Sequence, residues 1–192
     1  IDTDHFYPRS ITEQKAIGEK YGLLPKNYFI FLSNIEPRKN ILPLLDAYQQ
    51  FADTTKSKAP LLLIGGMGWN NGDIMNKITT LKAAGYNVIL PEKYVPDEDL
   101  PALLSGAIAL THPAIYEGFG MPILEAIACD TPIIVGNNTS IPEVVGPEYE
   151  EYVDVTNPEA ICARMMALYS SPSTVNKTLA SRVSIFTWTN AK

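Results

Sequence analysis

Glu117 and Glu125 are separated by seven residues, and a glycine-spaced turn, Gly118-Phe119-Gly120, directly follows the first of them. Pro122 suits the first turn of a helix, where a missing N–H costs nothing. The spacing therefore predicts a tight loop at a helix N-terminus, with the N–H groups of Gly118 to Gly120 open to an anion. Carboxylates on either side of bare backbone donors suit a ligand carrying both hydroxyls and phosphate. Two chemistries compete for them. As a general acid/base pair they would flank a glycosidic bond, as in a hydrolase; as acceptors they would hold sugar or ribose hydroxyls. The plain alternative is a capping Glu and a solvated helix Glu. Glu125, however, lies among Ile123, Leu124, Ala126, Ile127 and Ala128, and a Glu in so apolar a helix is costly to bury without a partner. It is read as facing a ligand cleft.

Other residues join them. Arg38 and Lys39, in Glu36-Pro37-Arg38-Lys39-Asn40, follow an apolar run directly, a place where basic side chains meet phosphate. A solvated basic turn is the alternative. Gly65-Gly66-Met67-Gly68 lacks the spacing of a dinucleotide fingerprint, so it is not read as an NAD site. It fits a close backbone approach to a ligand and an ordinary turn equally. His112, before Pro113, is read as a structural histidine bonded to nearby backbone. Trp69, Tyr94 and Tyr116 are read as loop-edge packing or as pocket lining.

These residues need a frame. Ser10 with Glu13 is a capping-box signature, predicting a helix from Ile11 to about Tyr21, ended by Gly22. Tyr28 to Leu32 reads as a buried parallel strand. Ile41, Leu44, Leu45, Tyr48 and Phe51 then recur at helical spacing. The alternation repeats: strands at Leu61 to Ile64, Asn87 to Leu90, Ala107 to Leu110 and Pro132 to Val135, with Tyr152-Val153 as a sixth, edge strand. Between them run helices through Ile74, Ile78 and Leu81, from Asp97 (as cap) to Ser105, from Pro122 to Cys129, and at Ile141 to Val145. From Pro158 the pattern is helical, interrupted at Ser171-Pro172. The expected fold is α/β: a Rossmann-like, doubly wound, mostly parallel sheet of about six strands with helices on both faces. In such sheets ligands bind outside the carboxyl ends of the strands, so the chemistry-bearing loops should share one rim.

Length and composition bound the rest. The chain has 192 residues, 46% hydrophobic and 19% charged, enough for one well-buried domain. Its net charge of −6 argues against a nucleic-acid partner. Cys129 and Cys162 read as small buried hydrophobes of a reducing compartment, and two histidines offer no metal-ligand spacing. No apolar run reaches transmembrane length. The chain opens Ile1-Asp2-Thr3 without a methionine and is read as a piece of a longer protein.

At these residues the sequence resembles the C-terminal, donor-binding domain of GT-B glycosyltransferases of family 4, the glycosyl transferases group 1. The pieces are Asp4 to Pro8, Glu36 to Asn40, Tyr94 to Leu100, Tyr116 to Glu125, Ser140 to Gly146 and Phe186-Thr187-Trp188, in the family's order; the likeness covers nearly the whole chain and is greatest to its mannosyltransferase-like branch.

The resemblance implies one half of a GT-B fold, residues 1–192, with 1–9 a linker and 172–192 a helical tail, and an acceptor domain preceding it. It implies retaining transfer of a hexose, mannose favoured, from a nucleotide-diphosphate sugar to a glycan, polysaccharide or lipid-linked acceptor. It implies no metal and no cofactor beyond the donor, GDP-mannose being favoured. By position, Glu117 would approach the transferred sugar and Glu125 the ribose hydroxyls. Gly118, Phe119 and Gly120 would offer N–H groups to sugar and diphosphate, and Lys39 would neutralise the leaving diphosphate. Asn34 stands where many members have Arg, with Arg38 supplying the charge instead, and Lys93, Tyr94 and Val95 would lie near the base. Asp130 replaces a usual Gly, a left-handed position that Asp tolerates. The implied setting is cytoplasmic, with peripheral membrane association of the full-length protein allowed. A sugar-nucleotide epimerase and a non-catalytic nucleotide-sugar-binding module are the rival readings.

Overall fold

The computed structural model describes residues 1–187. Five parallel strands, β1 (Phe29–Leu32), β2 (Leu61–Ile64), β3 (Val88–Ile89), β4 (Ala109–His112) and β5 (Ile133–Val135), form one sheet in the order β3-β2-β1-β4-β5. Their side chains alternate between two cores, as the period of two requires. Ile30, Leu62, Leu110, Ile133 and Val135 enter one; Phe29, Phe31, Leu61, Leu63, Ala109 and Ile134 enter the other. Helices α2 (Ile41–Thr55), α3 (Gly72–Ala83) and α7 (Pro158–Ser170) cover the second core. The first is covered by α1 (Ile11–Glu19), α4 (Leu100–Gly106), α5 (Met121–Ala128), α6 (Ile141–Val145) and α8 (Lys177–Ile185). Cys129 and Cys162 are free thiols buried in opposite cores.

Local signals set most boundaries. Ser10 and Glu13 form the reciprocal capping box that starts α1. Gly22 and Gly85 adopt left-handed backbone after α1 and α3. Asp130 is left-handed too, with φ of 58°, and its carboxylate accepts the Val175 N–H at 2.9 Å, tying the end of α5 to the approach of α8.

Three expectations are corrected. Tyr152-Val153 forms no sixth strand: Val153 donates one backbone hydrogen bond to Val135 O and no ladder follows. β4 lies two residues later than Ala107 to Leu110, because Ala107 is still engaged as the cap of α4 while Thr111 and His112 pair with Ile134 and Val135. Asp97 caps no helix; a 3-10 turn, Asp97–Asp99, precedes α4, and the Asp97 carboxylate accepts the Tyr94 hydroxyl. Trp188, the last residue of the Phe186-Thr187-Trp188 likeness, lies outside the described residues. Among the described residues no helix is long and apolar enough to cross a membrane.

Candidate functional site

Strand order reverses at β1, which pairs with β2 on one side and β4 on the other. The segment after β1 runs into α2 on one face and the segment after β4 into α5 on the opposite face, so a crevice opens between them. Lys39 and Glu117 stand on its two sides.

After β1, Pro37–Lys39 make a 3-10 turn, and Asn40 closes it in a left-handed conformation before α2 begins. The Asn40 amide is fixed by Val155 O at 2.7 Å. This holds Lys39 inward, with a side chain only 5% exposed. Its Nζ donates to Glu117 Oε2 at 2.5 Å. His112, the last residue of β4 and fully buried, brings Nε2 to 3.3 Å from the same oxygen. Burial by itself would push the Glu117 carboxyl up, but the contacts with His112 and Lys39 together outweigh it and hold the group down at about 2. The expected backbone partner of His112 is thus replaced by a carboxylate, and its Nδ1 is buried without a partner.

The loop beyond Glu117 behaves as its glycines predict. Gly120 has φ of 96° and precedes α5 directly. Among the described residues no acceptor meets the N–H groups of Gly118, Phe119 or Gly120, so the positive end of α5 is open. Phe119 packs edge-on against Phe186.

The loop between β5 and α6 pins this arrangement. Thr139 Oγ1 accepts the Glu117 N–H at 3.2 Å, Ser140 Oγ donates to Glu117 O at 3.0 Å, and the Asn138 amide donates to Ala114 O and Ile115 O. In the sequence alone Asn138 and Thr139 have no task, and Ser140 has only a place in the family likeness. The run of polar side chains after β5 was the available signal.

Glu125, the fifth residue of α5, is half-buried, and its carboxyl has no hydrogen-bond or ion-pair partner among the described residues. Burial, reinforced by the charge of Asp97, raises its carboxyl to about 7. It does not meet Glu117. The two carboxyls therefore have opposite environments, one ionised and clamped, the other unpaired.

Arg38 is not drawn to this centre. Its Nε lies 2.5 Å from Glu36 Oε1, so its charge is already matched by a buried carboxylate. Asn34 is exposed in the same loop. The glycines after β2 let their loop pack closely against this one. A Cβ at Gly65 would lie 1.9 Å from Ser33 O, and one at Gly68 would lie 2.7 Å from Glu36 Cβ. Hydrogen bonds from Ser33 N to Ile64 O, Ile35 N to Gly66 O and Gly68 N to Ile35 O zip the two loops together. Tyr94 is exposed and Val95 buried; with Lys93, Leu90 and Gly65 to Met67 they line a cleft of about 290 Å³ outside β2 and β3.

Fold and rim together define one half of a GT-B glycosyltransferase architecture. The family described as glycosyl transferases group 1 matches residues 13–181, and the chain belongs to it. It is 42% identical over 141 residues to the O-antigen chain mannosyltransferase B of Escherichia coli, which covers 73% of this chain and 36% of that protein. It is 27% identical over 180 residues to a GDP-mannose-dependent alpha-(1-6)-phosphatidylinositol monomannoside mannosyltransferase of Mycolicibacterium smegmatis, covering 90% of this chain and 46% of the relative. The chain thus spans less than half the length of either. In structure it is similar to the C-terminal domain of a glycosyl transferase group 1 family protein from Francisella tularensis, with a TM-score of 0.73 at 19% identity over 96% of this chain and 92% of that one.

Proposed function

We propose that this chain is the donor-binding domain of a retaining glycosyltransferase that moves a hexose, mannose by preference, from a nucleotide-diphosphate sugar to a glycan, polysaccharide or lipid-linked acceptor. The observation that carries the reading is the Lys39–Glu117 pair beside the open N–H groups of Gly118 to Gly120, set in the crevice where strand order reverses. A diphosphate seated there meets an ammonium and a helix N-terminus, which stabilise the charge that develops as the nucleotide departs. Arg38 reinforces them once it exchanges Glu36 for phosphate. Asn34 supplies a polar contact from the same loop.

Glu117 then holds hydroxyls of the transferred sugar. Its low pKa suits an acceptor and not a general acid. Glu125 takes the ribose hydroxyls, and the cleft beside Tyr94 and Val95 takes the base. No cofactor is required beyond the donor substrate. GDP-mannose is favoured because the chain is similar to a GDP-mannose-dependent enzyme and to an O-antigen mannosyltransferase. The acceptor is held by a preceding domain, in a cytoplasmic protein of polysaccharide biosynthesis that associates peripherally with membrane.

The test is calorimetric titration of the 192-residue chain with UDP-, GDP- and ADP-sugars. Binding of one nucleotide class, weakened by Lys39→Met, is the expected result. Failure of every nucleotide sugar to bind would overturn the reading. The same chain should glycosylate acceptors little or not at all by itself.

A further inference from the structure

We propose that His112 is a positioning residue for Glu117, holding its carboxylate in register when Lys39 turns to the donor's diphosphate. The inference rests on the donor-binding reading above and extends it to a residue that touches no ligand.

Lys39 Nζ and His112 Nε2 converge on one oxygen, Glu117 Oε2, at 2.5 and 3.3 Å. Among the described residues no group bonds Oε1, so that oxygen remains for a sugar hydroxyl. The two donors differ in freedom. Lys39 ends a four-carbon stem on a loop, and its charge is what a diphosphate attracts. His112 ends β4, where its neighbours pair with β5, and its ring is 1% exposed; it cannot follow a ligand. Once a diphosphate draws the ammonium away, a buried ring N–H is what keeps Glu117 bonded and aimed. Nδ1 meets no partner, and an unmatched lone pair is cheaper to bury than an unmatched N–H, so the ring proton belongs on Nε2.

Histidine-selective ¹⁵N NMR reads the contact directly, because the chain has only two histidines, His5 and His112. The His112 ring should show the Nε2–H tautomer, keep it in Lys39→Met and change it in Glu117→Gln. A His112 spectrum indifferent to Glu117→Gln would overturn the proposal.

Titration with GDP and GDP-mannose then reads the consequence. His112→Leu should leave GDP affinity within about twofold but cut the extra affinity due to the sugar by roughly fivefold, the worth of one well-placed hydrogen bond. His112→Gln, whose amide reaches the Nε2 position, should restore most of it. Should His112→Leu not fold, His112→Asn replaces it, since its amide stops at the Nδ1 position and should lose the sugar-dependent part likewise. If Glu117→Gln removes the sugar-dependent affinity and His112→Leu does not, the positioning role is wrong while the donor-binding reading stands. If Gln and Leu at 112 behave alike, the ring serves only packing and the proposal fails. If Glu117→Gln changes nothing, the sugar-holding role of Glu117 falls, and this proposal with it.

Discussion

Lys39 and Glu117, 78 residues apart in the chain, meet at 2.5 Å between the segments that follow β1 and β4. Both side chains are largely withdrawn from water, at 5% and 12% exposure. The pair ties the two halves of the sheet together across its rim and presets the charges of the crevice.

Removing one partner of such a pair leaves a charge with less compensation than it needs. Lys39→Met should destabilise the domain by about 2–4 kcal/mol, less than a fully orphaned charge because His112 still holds Glu117. The double variant Lys39→Met with Glu117→Gln should recover part of this. Urea unfolding of the four proteins checks both statements, and strict additivity would contradict the pairing.

The clamped carboxylate gives the acid limb of stability a definite origin. Glu117 is depressed from the ordinary 4.5 to about 2, so its contribution is present above pH 4.5 and is lost as pH falls towards 2. Unfolding midpoints measured between pH 5 and 2.5 should fall less steeply in Glu117→Gln than in the parent. Parallel profiles would show that the carboxylate is not held as described.

Glu125 titrates in the opposite sense. Its carboxyl is raised to about 7, so neutral Glu125 stabilises the fold below about 4.5 and that contribution is lost as pH rises through 7. If ribose hydroxyls bond its ionised form, nucleotide-sugar affinity should fall by up to about tenfold from pH 8 to 6, with proton release on binding near pH 7. The diphosphate of a nucleotide sugar does not titrate in this range, so the change belongs to the protein. Calorimetry in two buffers of different ionisation enthalpy measures the proton, and Glu125→Gln should abolish the dependence.

The glycines after β2 should sort by contact and not by proximity to the site. Gly65→Ala places a Cβ against Ser33 O in a positive-φ conformation and should cost more than about 2 kcal/mol. Gly72→Ala, at the first residue of α3 with nothing within 4 Å, should be neutral or slightly stabilising. Thermal melts of the two variants compare them directly.

Local chemistry in the chain determined much of this molecule. The continuous apolar runs of β1 and β2, the capping box of Ser10 and Glu13, the apolar faces of α2 and α3 and the Gly120-Met121-Pro122 helix start all fold as their residues dictate. So does the rim, because parallel strands joined by helices put their following loops at one end. Glu117 and Glu125 were legible as the two carboxylates of the rim, and Glu125's apolar neighbours marked it as a Glu costly to bury without a partner. What the residues could not announce is whatever depends on a distant partner. β4 is offset by the strand it pairs with, Tyr152-Val153 lacks a ladder to join, and Gly65 and Gly68 answer to a loop some thirty residues earlier. Only the folded sheet brings Lys39 and His112 to one oxygen of Glu117, while Arg38, next to Lys39 in sequence, turns to Glu36. Spacing along a chain fixes which face a side chain takes; which charge it meets there is set by the strands that tertiary pairing lays side by side.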